Sequence, residues 1–96
     1  MKEIVSTEKA PAAVGPYSQA IITDDRIIFT SGQIPLDPKT SNVVGSDIAT
    51  QSAQALKNLE AVLEEAGFQM KDVVKTTVFI TDMAQFAVVN EVYANF

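Results

Sequence analysis

Four residues in the sequence carry groups that could bind a small polar molecule. Ser31 and Gly32 follow the β-branched and aromatic run at residues 27–29, which is typical of a buried strand. Ser31 offers a hydroxyl, and Gly32, which lacks a Cβ, lets another backbone or a small ligand approach closely. Tyr17 offers a second hydroxyl directly after a rigid Gly-Pro turn, and Asn90 offers an amide. The pattern predicts a central strand that opens into a polar pocket.

Each of these residues also has an ordinary structural explanation. A Ser-Gly pair often does no more than end a strand, and a lone tyrosine commonly packs its ring on the core with its hydroxyl in water. Asn90 falls on the apolar stripe of a predicted helix, where a buried asparagine is often satisfied by the protein itself. The residue types leave both interpretations open for Ser31 and Gly32, and they favour the structural one for Tyr17 and Asn90.

The composition excludes several kinds of chemistry. The chain has no histidine and no cysteine, so it offers no imidazole base, no thiolate nucleophile and no cysteine-ligated metal site. Most familiar hydrolase machinery is thereby excluded. The net charge is −5 and Arg26 is the single arginine, which leaves no basic patch to neutralise phosphates. Nucleic acid is not expected as a partner.

The hydropathy pattern bears on location. No apolar run approaches the roughly 18 residues that a membrane helix needs. The first eight residues are mostly polar or charged and contain no apolar segment typical of a secretory signal. We therefore expect a soluble, cytoplasmic protein.

The predicted elements place the four groups at the ends of strands and on one helix. Residues 18–31 are predicted to form an antiparallel pair around a tight turn at residues 23–26, because the two aspartates there tolerate left-handed conformations. A long amphipathic helix begins at Ser46 or Asp47 and ends before Gly67. Its predicted water-facing side consists of polar and charged residues, namely Gln51, Gln54, Lys57, Asn58, Glu64 and Glu65.

A further strand and a second helix follow. Residues 73–81 are rich in β-formers, and the more polar of their two faces contains Phe79, which suggests a subunit contact. The spacing from Asp82 to Gln85 is that of a capping box that opens the second helix. The apolar stripe of this helix is predicted to consist of Phe86, Val89, Tyr93 and Phe96.

The order of the elements predicts the topology. A strand, a helix and a strand in sequence imply a right-handed parallel crossover. We therefore predict one α/β (α+β) domain over residues 1–96 with both helices on one sheet face. Self-association is expected to cover the other face.

Four motifs together resemble those of a known family. They are Ala-Pro-Ala-Ala-Val-Gly-Pro-Tyr-Ser-Gln-Ala at residues 10–20, Thr-Ser-Gly-Gln-Ile-Pro at 30–35, Val-Lys-Thr-Thr-Val-Phe at 74–79 and Val-Asn-Glu-Val-Tyr at 89–93. In this order and spacing they resemble the reactive-intermediate deaminase (RidA) family, also called the YjgF/UK114 or L-PSP endoribonuclease family. The resemblance implies a chorismate-mutase-like fold with a mixed sheet and homotrimers with sites between subunits. It also implies hydrolysis of 2-imino acids or enamines, such as 2-iminobutanoate and 2-iminopropanoate, to 2-oxo acids and ammonia without metal or cofactor.

The resemblance assigns substrate-binding roles to the same four residues. The backbone of Ser31 and Gly32 would face the substrate, Tyr17 would come from the loop of an adjoining subunit, and Asn90 would support the substrate or its anchoring arginine.

Family members continue with strands that would lie beyond Phe96 and that carry this arginine and a glutamate for the attacking water. Neither is matched here, and Arg26 lies at the wrong end of its strand to replace the arginine. We therefore expect a domain truncated at its C-terminal end, with unknown catalytic residues and no activity from residues 1–96 alone.

Two other functions remain open. One is a non-enzymatic trimer that binds a small ligand or regulates another protein, because some relatives of the family lack parts of the site. The other is a translation-inhibiting endoribonuclease, an activity also attributed to the family. The acidic composition argues against the second, since RNA cleavage needs phosphate-binding and acid–base groups.

Overall fold

The computed structural model describes residues 2–96 and contains three short strands and two α-helices. The strands are β1 (Glu3–Val5), β2 (Ala20–Ile22) and β3 (Ile28–Thr30), and the helices are α1 (Ile48–Glu65) and α2 (Phe86–Tyr93). Short 3₁₀ turns lie at Met70–Asp72 and Met83–Gln85. The predicted α+β class with two helices is confirmed. No helix within residues 2–96 is long and apolar enough to cross a membrane.

The three strands form one antiparallel sheet in the order β1-β2-β3. The predicted pairing of β2 with β3 is confirmed, with Ile21 opposite Phe29. The turn between them closes through hydrogen bonds from Thr23 N to Ile27 O at 2.9 Å and from Arg26 N to Thr23 O at 3.0 Å. The left-handed residue is Arg26, with φ of 64°, and not one of the aspartates as the turn pattern suggested.

The hydrophobic core lies between one face of this sheet and α1. Residues from β1, β2 and α1 are buried together with Ala10 from the loop after β1, and Phe68 packs against the same cluster. The central side chain from the helix is Val62, which is fully buried. Burying a side chain of this size contributes about 1.5–3 kcal/mol, so the helix and the sheet stabilise each other.

The ends of α1 match the predictions. Asp47 is the N-cap, and its carboxylate accepts a hydrogen bond of 2.9 Å from Thr50 N. At the other end Gly67 has a φ of +83°. Gly67 N donates to Glu64 O and Phe68 N donates to Leu63 O, at 3.0 and 2.8 Å, which is the Schellman pattern that a C′ glycine permits.

The second helix is shorter than its apolar stripe suggested. It ends at Tyr93, so Phe96 lies outside it, and the prediction that Phe96 belongs to the helical stripe is wrong. The main chain tightens here, because Asn95 N donates to Val92 O at 3.0 Å and Phe96 N donates to Tyr93 O at 3.1 Å. These bonds span three residues rather than four, a common way to satisfy the last carbonyls of a helix. Phe96 is accordingly not buried, and 37% of it is exposed.

Residues 73–81 do not form the predicted strand. They take no part in the sheet, so the predicted parallel crossover and mixed sheet are wrong for these residues. The reason is that β propensity becomes a strand only beside a hydrogen-bonding neighbour, and none lies beside this segment within residues 2–96. Val74 and Phe79 are accordingly 98% and 91% exposed. A hydrogen bond of 2.8 Å between the hydroxyls of Thr76 and Tyr93 ties the segment to α2.

The face of the sheet opposite the core carries an apolar row. Ile4, Ile21 and Phe29 lie side by side across the three strands. Ile4 and Phe29 are each 64% exposed. The prediction that the helices leave one sheet face uncovered is therefore confirmed for the residues that the structure describes.

Candidate functional site

Ser31 lies just past β3, and its polar groups are used within the fold. Its main-chain N–H donates to the carbonyl of Gln19 at 2.9 Å, and its hydroxyl donates to the carbonyl of Ser18. Its own carbonyl accepts a bond of 3.3 Å from the side chain of Gln33. Because the hydroxyl hydrogen is already donated, Ser31 is suited to support a site rather than to attack a substrate.

Gly32 differs from its neighbour in being open to solvent. The residue is exposed, and among residues 2–96 its main chain makes no hydrogen bond. A Cβ built at this position would have no heavy atom within 4 Å. Gly32 therefore has a main-chain N–H without a partner among the described residues and open space on its Cα side that a small molecule could occupy.

Tyr17 lies in the exposed loop that precedes β2. The turn before it includes Gly15 with φ of +109°, and Tyr17 N donates to Gly15 O at 2.9 Å. The ring is half-exposed, and its hydroxyl has no hydrogen-bond partner among the described residues. It borders an open groove of about 840 Å³ that is also lined by Lys9 and Lys39.

Asn90 is exposed on α2 and is not buried on its apolar stripe as predicted. The buried residue of this helix is the preceding one, Val89, and a step of one residue turns a helix by roughly 100°. The Asn90 side chain makes no hydrogen bond within the described part of the chain. The two residues that follow Tyr17 in the chain, Ser18 and Gln19, accept hydrogen bonds from Ser31, so the structure places Tyr17 and Ser31 near each other. No described contact joins Asn90 to either of them.

Gln19 is a buried polar residue that no pattern in the sequence singled out. Its side chain is 4% exposed, and its amide bonds with the loop after β1. Its Oε1 accepts from Thr7 N at 2.6 Å, and its Nε2 lies 3.1, 3.4 and 2.8 Å from the carbonyl oxygens of Thr7, Ala10 and Pro11. These partners lie in an irregular loop, so no periodicity in the sequence could have identified them.

Asn58 was predicted on the water-facing side of α1, and this is wrong. It is 1% exposed, and its Nδ2 donates to the carbonyls of Ile34 and Leu36 at 3.0 and 2.9 Å. Asn58 thereby fixes the loop that follows Gly32. A signal was present, because position 58 lies four residues before the buried Val62 and so shares its helix face.

The single arginine of the chain does not lie near these groups, whereas Lys9 and Lys39 border the groove beside Tyr17. The Arg26 guanidinium lies over the ring of Phe68, 5.6 Å from its centroid, and Arg26 precedes β3 whereas Ser31 follows it. No cluster of acidic side chains within residues 2–96 could hold a metal ion. The arrangement can offer neutral hydrogen-bonding groups to a small polar molecule.

The catalytic groups that the resemblance implies are not among the described residues. The arginine and the glutamate were expected beyond Phe96, and they remain a prediction. Phe96 itself has an apolar side chain that can neither bind a carboxylate nor transfer a proton, and it is partly exposed just past α2. Phe96 therefore supplies neither of these two groups.

Comparisons with known proteins identify relatives of the chain. Residues 7–96 match the family model described as Endoribonuclease L-PSP. A RutC family protein of Pyrococcus horikoshii is 51% identical over 96 residues, which make up 100% of this chain and 75% of that protein. A Mus musculus protein named 2-iminobutanoate/2-iminopropanoate deaminase is 47% identical over 96 residues, or 100% of this chain and 70% of that protein. The crystal structure of E. coli TdcF with bound serine is 42% identical with a TM-score of 0.90, covering 97% of this chain and 72% of that one.

The family match includes all four motifs, from the loop of Tyr17 to the helix of Asn90. The fold agrees as well, since the TdcF structure superposes on nearly the whole chain. Family recognition from the motifs is thus confirmed: the chain belongs to the endoribonuclease L-PSP family, the family of the RidA and YjgF proteins.

Proposed function

We propose that this protein acts in the hydrolytic deamination of 2-imino acids or their enamine tautomers to 2-oxo acids and ammonia. The observation that carries the proposal is the open Gly32 N–H next to Ser31, whose bond to Ser18 ties this segment to the base of the Tyr17 loop. The relative named 2-iminobutanoate/2-iminopropanoate deaminase supports the choice of substrate class. A cytoplasmic location forms part of the proposal.

Imine hydrolysis suits a site without histidine or cysteine. A water lone pair forms the new C–O bond while the C=N π electrons move to nitrogen, which takes up a proton. In the resulting carbinolamine the C=O bond forms as the hydroxyl loses its proton, and the C–N bond breaks as the nitrogen takes up a second proton and leaves as ammonia. Because the imine carbon is already electrophilic, the protein has only to hold the substrate, position the water and assist proton transfer.

The proposed substrate-binding groups are Tyr17, Ser31, Gly32 and Asn90. Gly32 would donate its N–H to the substrate, and the Tyr17 hydroxyl would donate to it or accept from it. Ser31 would hold the strand end through its bonds to Ser18 and Gln19. Asn90 is exposed and free to meet a substrate or a group from outside the described chain.

The substrate carboxylate would need a cationic partner that these four groups do not supply. Charge-assisted hydrogen bonds of this kind are worth roughly 1.5–3 kcal/mol, a large share of the binding energy of a small imino acid. Arg26 is engaged over Phe68. We therefore propose that residues 1–96 alone do not hydrolyse 2-iminobutanoate above background.

A homotrimer with sites shared between subunits forms part of the proposal. The exposed apolar row of Ile4, Ile21 and Phe29 and the exposed Phe79 supply apolar surface that association would bury. Tyr17 lies on an exposed loop beside a groove whose lining includes neither Ser31 nor Gly32. A loop in that position is free to reach the Gly32 segment of an adjoining subunit.

The test measures ammonia and 2-oxo acid release from 2-iminobutanoate generated in situ by an amino acid oxidase. Three samples are compared: the 96-residue chain, a chimera of this chain with the unmatched segment of the mouse relative, and buffer. We expect activity from the chimera alone. An inactive, folded chimera would contradict the proposed function, whereas full activity from the 96-residue chain would contradict the residue roles.

The Tyr17 role is tested in the same chimera. Tyr17→Phe should lower kcat/KM by about tenfold, since one hydrogen bond to the substrate is lost. Tyr93→Phe is the control, because its hydroxyl bonds to Thr76 and makes no described contact with the Tyr17 loop or with Ser31 and Gly32. If the chimera binds 2-oxobutanoate but neither protein sample hydrolyses the imine, a ligand-binding role would be favoured instead.

A further inference from the structure

The side chain of Gln19 links two parts of the chain that are distant in sequence. Its Nε2 faces three carbonyl oxygens, those of Thr7, Ala10 and Pro11, and its Oε1 faces the Thr7 N–H. If the Gln19 amide were flipped, its Oε1 would face the three carbonyl oxygens and its Nε2 would face the Thr7 N–H. The hydrogen-bond partners therefore define the orientation of the amide. Replacing the amide would leave these main-chain groups without partners.

These bonds close the loop that carries Tyr17. The loop leaves Pro11 and returns at Gln19, and the bond of 2.8 Å from Gln19 Nε2 to Pro11 O joins its two ends. Residues 12–17 are exposed. Among them the structure describes a single internal hydrogen bond, from Tyr17 N to Gly15 O. The position of Tyr17 therefore depends mainly on how the ends of the loop are held.

The main chain of the same residue holds the other half of the site. The carbonyl of Gln19 accepts the bond of 2.9 Å from Ser31 N, and the adjacent carbonyl of Ser18 accepts from the Ser31 hydroxyl. One residue thus contacts both the end of β3 that leads into Gly32 and the base of the Tyr17 loop.

We infer that Gln19 is a positioning residue that sets the Tyr17 loop and the Ser31–Gly32 segment in their places. The inference rests on the proposed function, which gives these two segments their role. It holds whether Tyr17 and Gly32 of one chain serve the same site or two neighbouring sites, since Gln19 contacts the base of both segments. Gln19 itself is buried and need not touch a substrate.

The test uses NMR of the 96-residue chain and binding of 2-oxobutanoate by the chimera described above. Gln19→Met keeps the length and apolar packing of the side chain but removes its amide. We expect faster hydrogen exchange at Thr7 N–H and shifted resonances at Tyr17 and Ser31. In the chimera, which adds the unmatched segment, we expect Gln19→Met to raise the Kd for 2-oxobutanoate about tenfold, as loss of roughly one net hydrogen bond predicts. Asp47→Ala is the control for general loss of stability, because this N-cap lies at the start of α1; it should leave the Tyr17 and Ser31 resonances unchanged.

Two results would overturn the inference. One is a folded Gln19→Met chain with wild-type exchange at Thr7 and wild-type resonances at Tyr17 and Ser31. The other needs no variant: the Gln19 side-chain amide protons of the wild-type chain should exchange slowly, and exchange as fast as in free glutamine would contradict the bonds on which the inference depends. If the chimera with wild-type Gln19 binds no 2-oxobutanoate, the proposed ligand is wrong, while the exchange and resonance measurements on the 96-residue chain still decide the role of Gln19.

Discussion

Asn58 Nδ2 donates a hydrogen bond of 3.0 Å to the main-chain carbonyl oxygen of Ile34, 24 residues earlier in the chain. This bond joins the buried side of α1 to the loop that follows Gly32. Removing a buried amide that bonds to the protein lowers the free energy of unfolding, because its partners lose these hydrogen bonds and water does not replace them. The loop after β3 is therefore anchored by a polar contact as well as by apolar packing.

Asn58→Ala should lower the free energy of unfolding by about 2 kcal/mol, since it removes the Asn58 hydrogen bonds to the carbonyl groups of Leu36 and Ile34, of which only the second keeps another donor, Leu36 N. Urea denaturation followed by circular dichroism measures the change. Lys57→Ala is the matched control, as Lys57 is exposed on the same helix, and it should stay within about 0.5 kcal/mol of wild type. Equal effects of the two substitutions would show that the Asn58 bonds contribute nothing to stability.

Gly32→Ala should spare the fold and impair the site. The added methyl has no atom within 4 Å, so thermal denaturation should be unchanged, while the methyl would meet a ligand that approaches the main chain. In the chimera we expect kcat/KM to fall about tenfold or more. Gly45→Ala provides the contrast, because its φ is +68° and its new Cβ would lie 2.8 Å from Thr50 Cγ2, so it should destabilise the fold. Wild-type turnover by Gly32→Ala would remove Gly32 from the site.

The Asp47 N-cap should make stability depend on pH in the acid range. Hydrogen bonds from the main-chain N–H and then the hydroxyl of Thr50 hold the pKa of Asp47 below its usual value of 3.8. Because the folded-state pKa is the lower one, the stabilisation is present above pH 3.8 and is lost as the pH falls through the folded-state pKa. Asp47→Ala should therefore lower the Tm at neutral pH, and the difference from wild type should shrink in strong acid. A difference in Tm that is constant with pH would exclude the carboxylate as its source.

Association of the protein should depend on the apolar row of the open sheet face. Ile4→Thr combined with Phe29→Thr keeps β-forming residues but removes apolar surface, so it should reduce the mass measured by light scattering at micromolar concentration. Val14→Thr is the control, because Val14 is exposed in the Tyr17 loop and not on the sheet. A monomeric wild-type chain, or unchanged association of the double variant, would contradict the role of this face.

Local patterns were enough to predict the elements whose formation depends on neighbouring residues. The helix between Asp47 and Gly67 was predicted with both caps, because capping bonds join residues only a few positions apart. The hairpin of β2 and β3 was predicted for the same reason, although the left-handed residue proved to be Arg26. The four motifs also identified the family, since their order and spacing are properties of the sequence alone.

Only the tertiary structure decided which residues lie next to one another across the fold. Residues 73–81 have strong β propensity, yet they form no strand, because a strand requires main-chain partners that local sequence does not supply. The burial of Asn58 and Gln19 depends on carbonyl groups in loops that are distant or irregular. Asn90 turned out to be exposed and Phe96 to lie outside α2, because the rotation and the length of a short helix depend on its packing partners as well as on its apolar stripe.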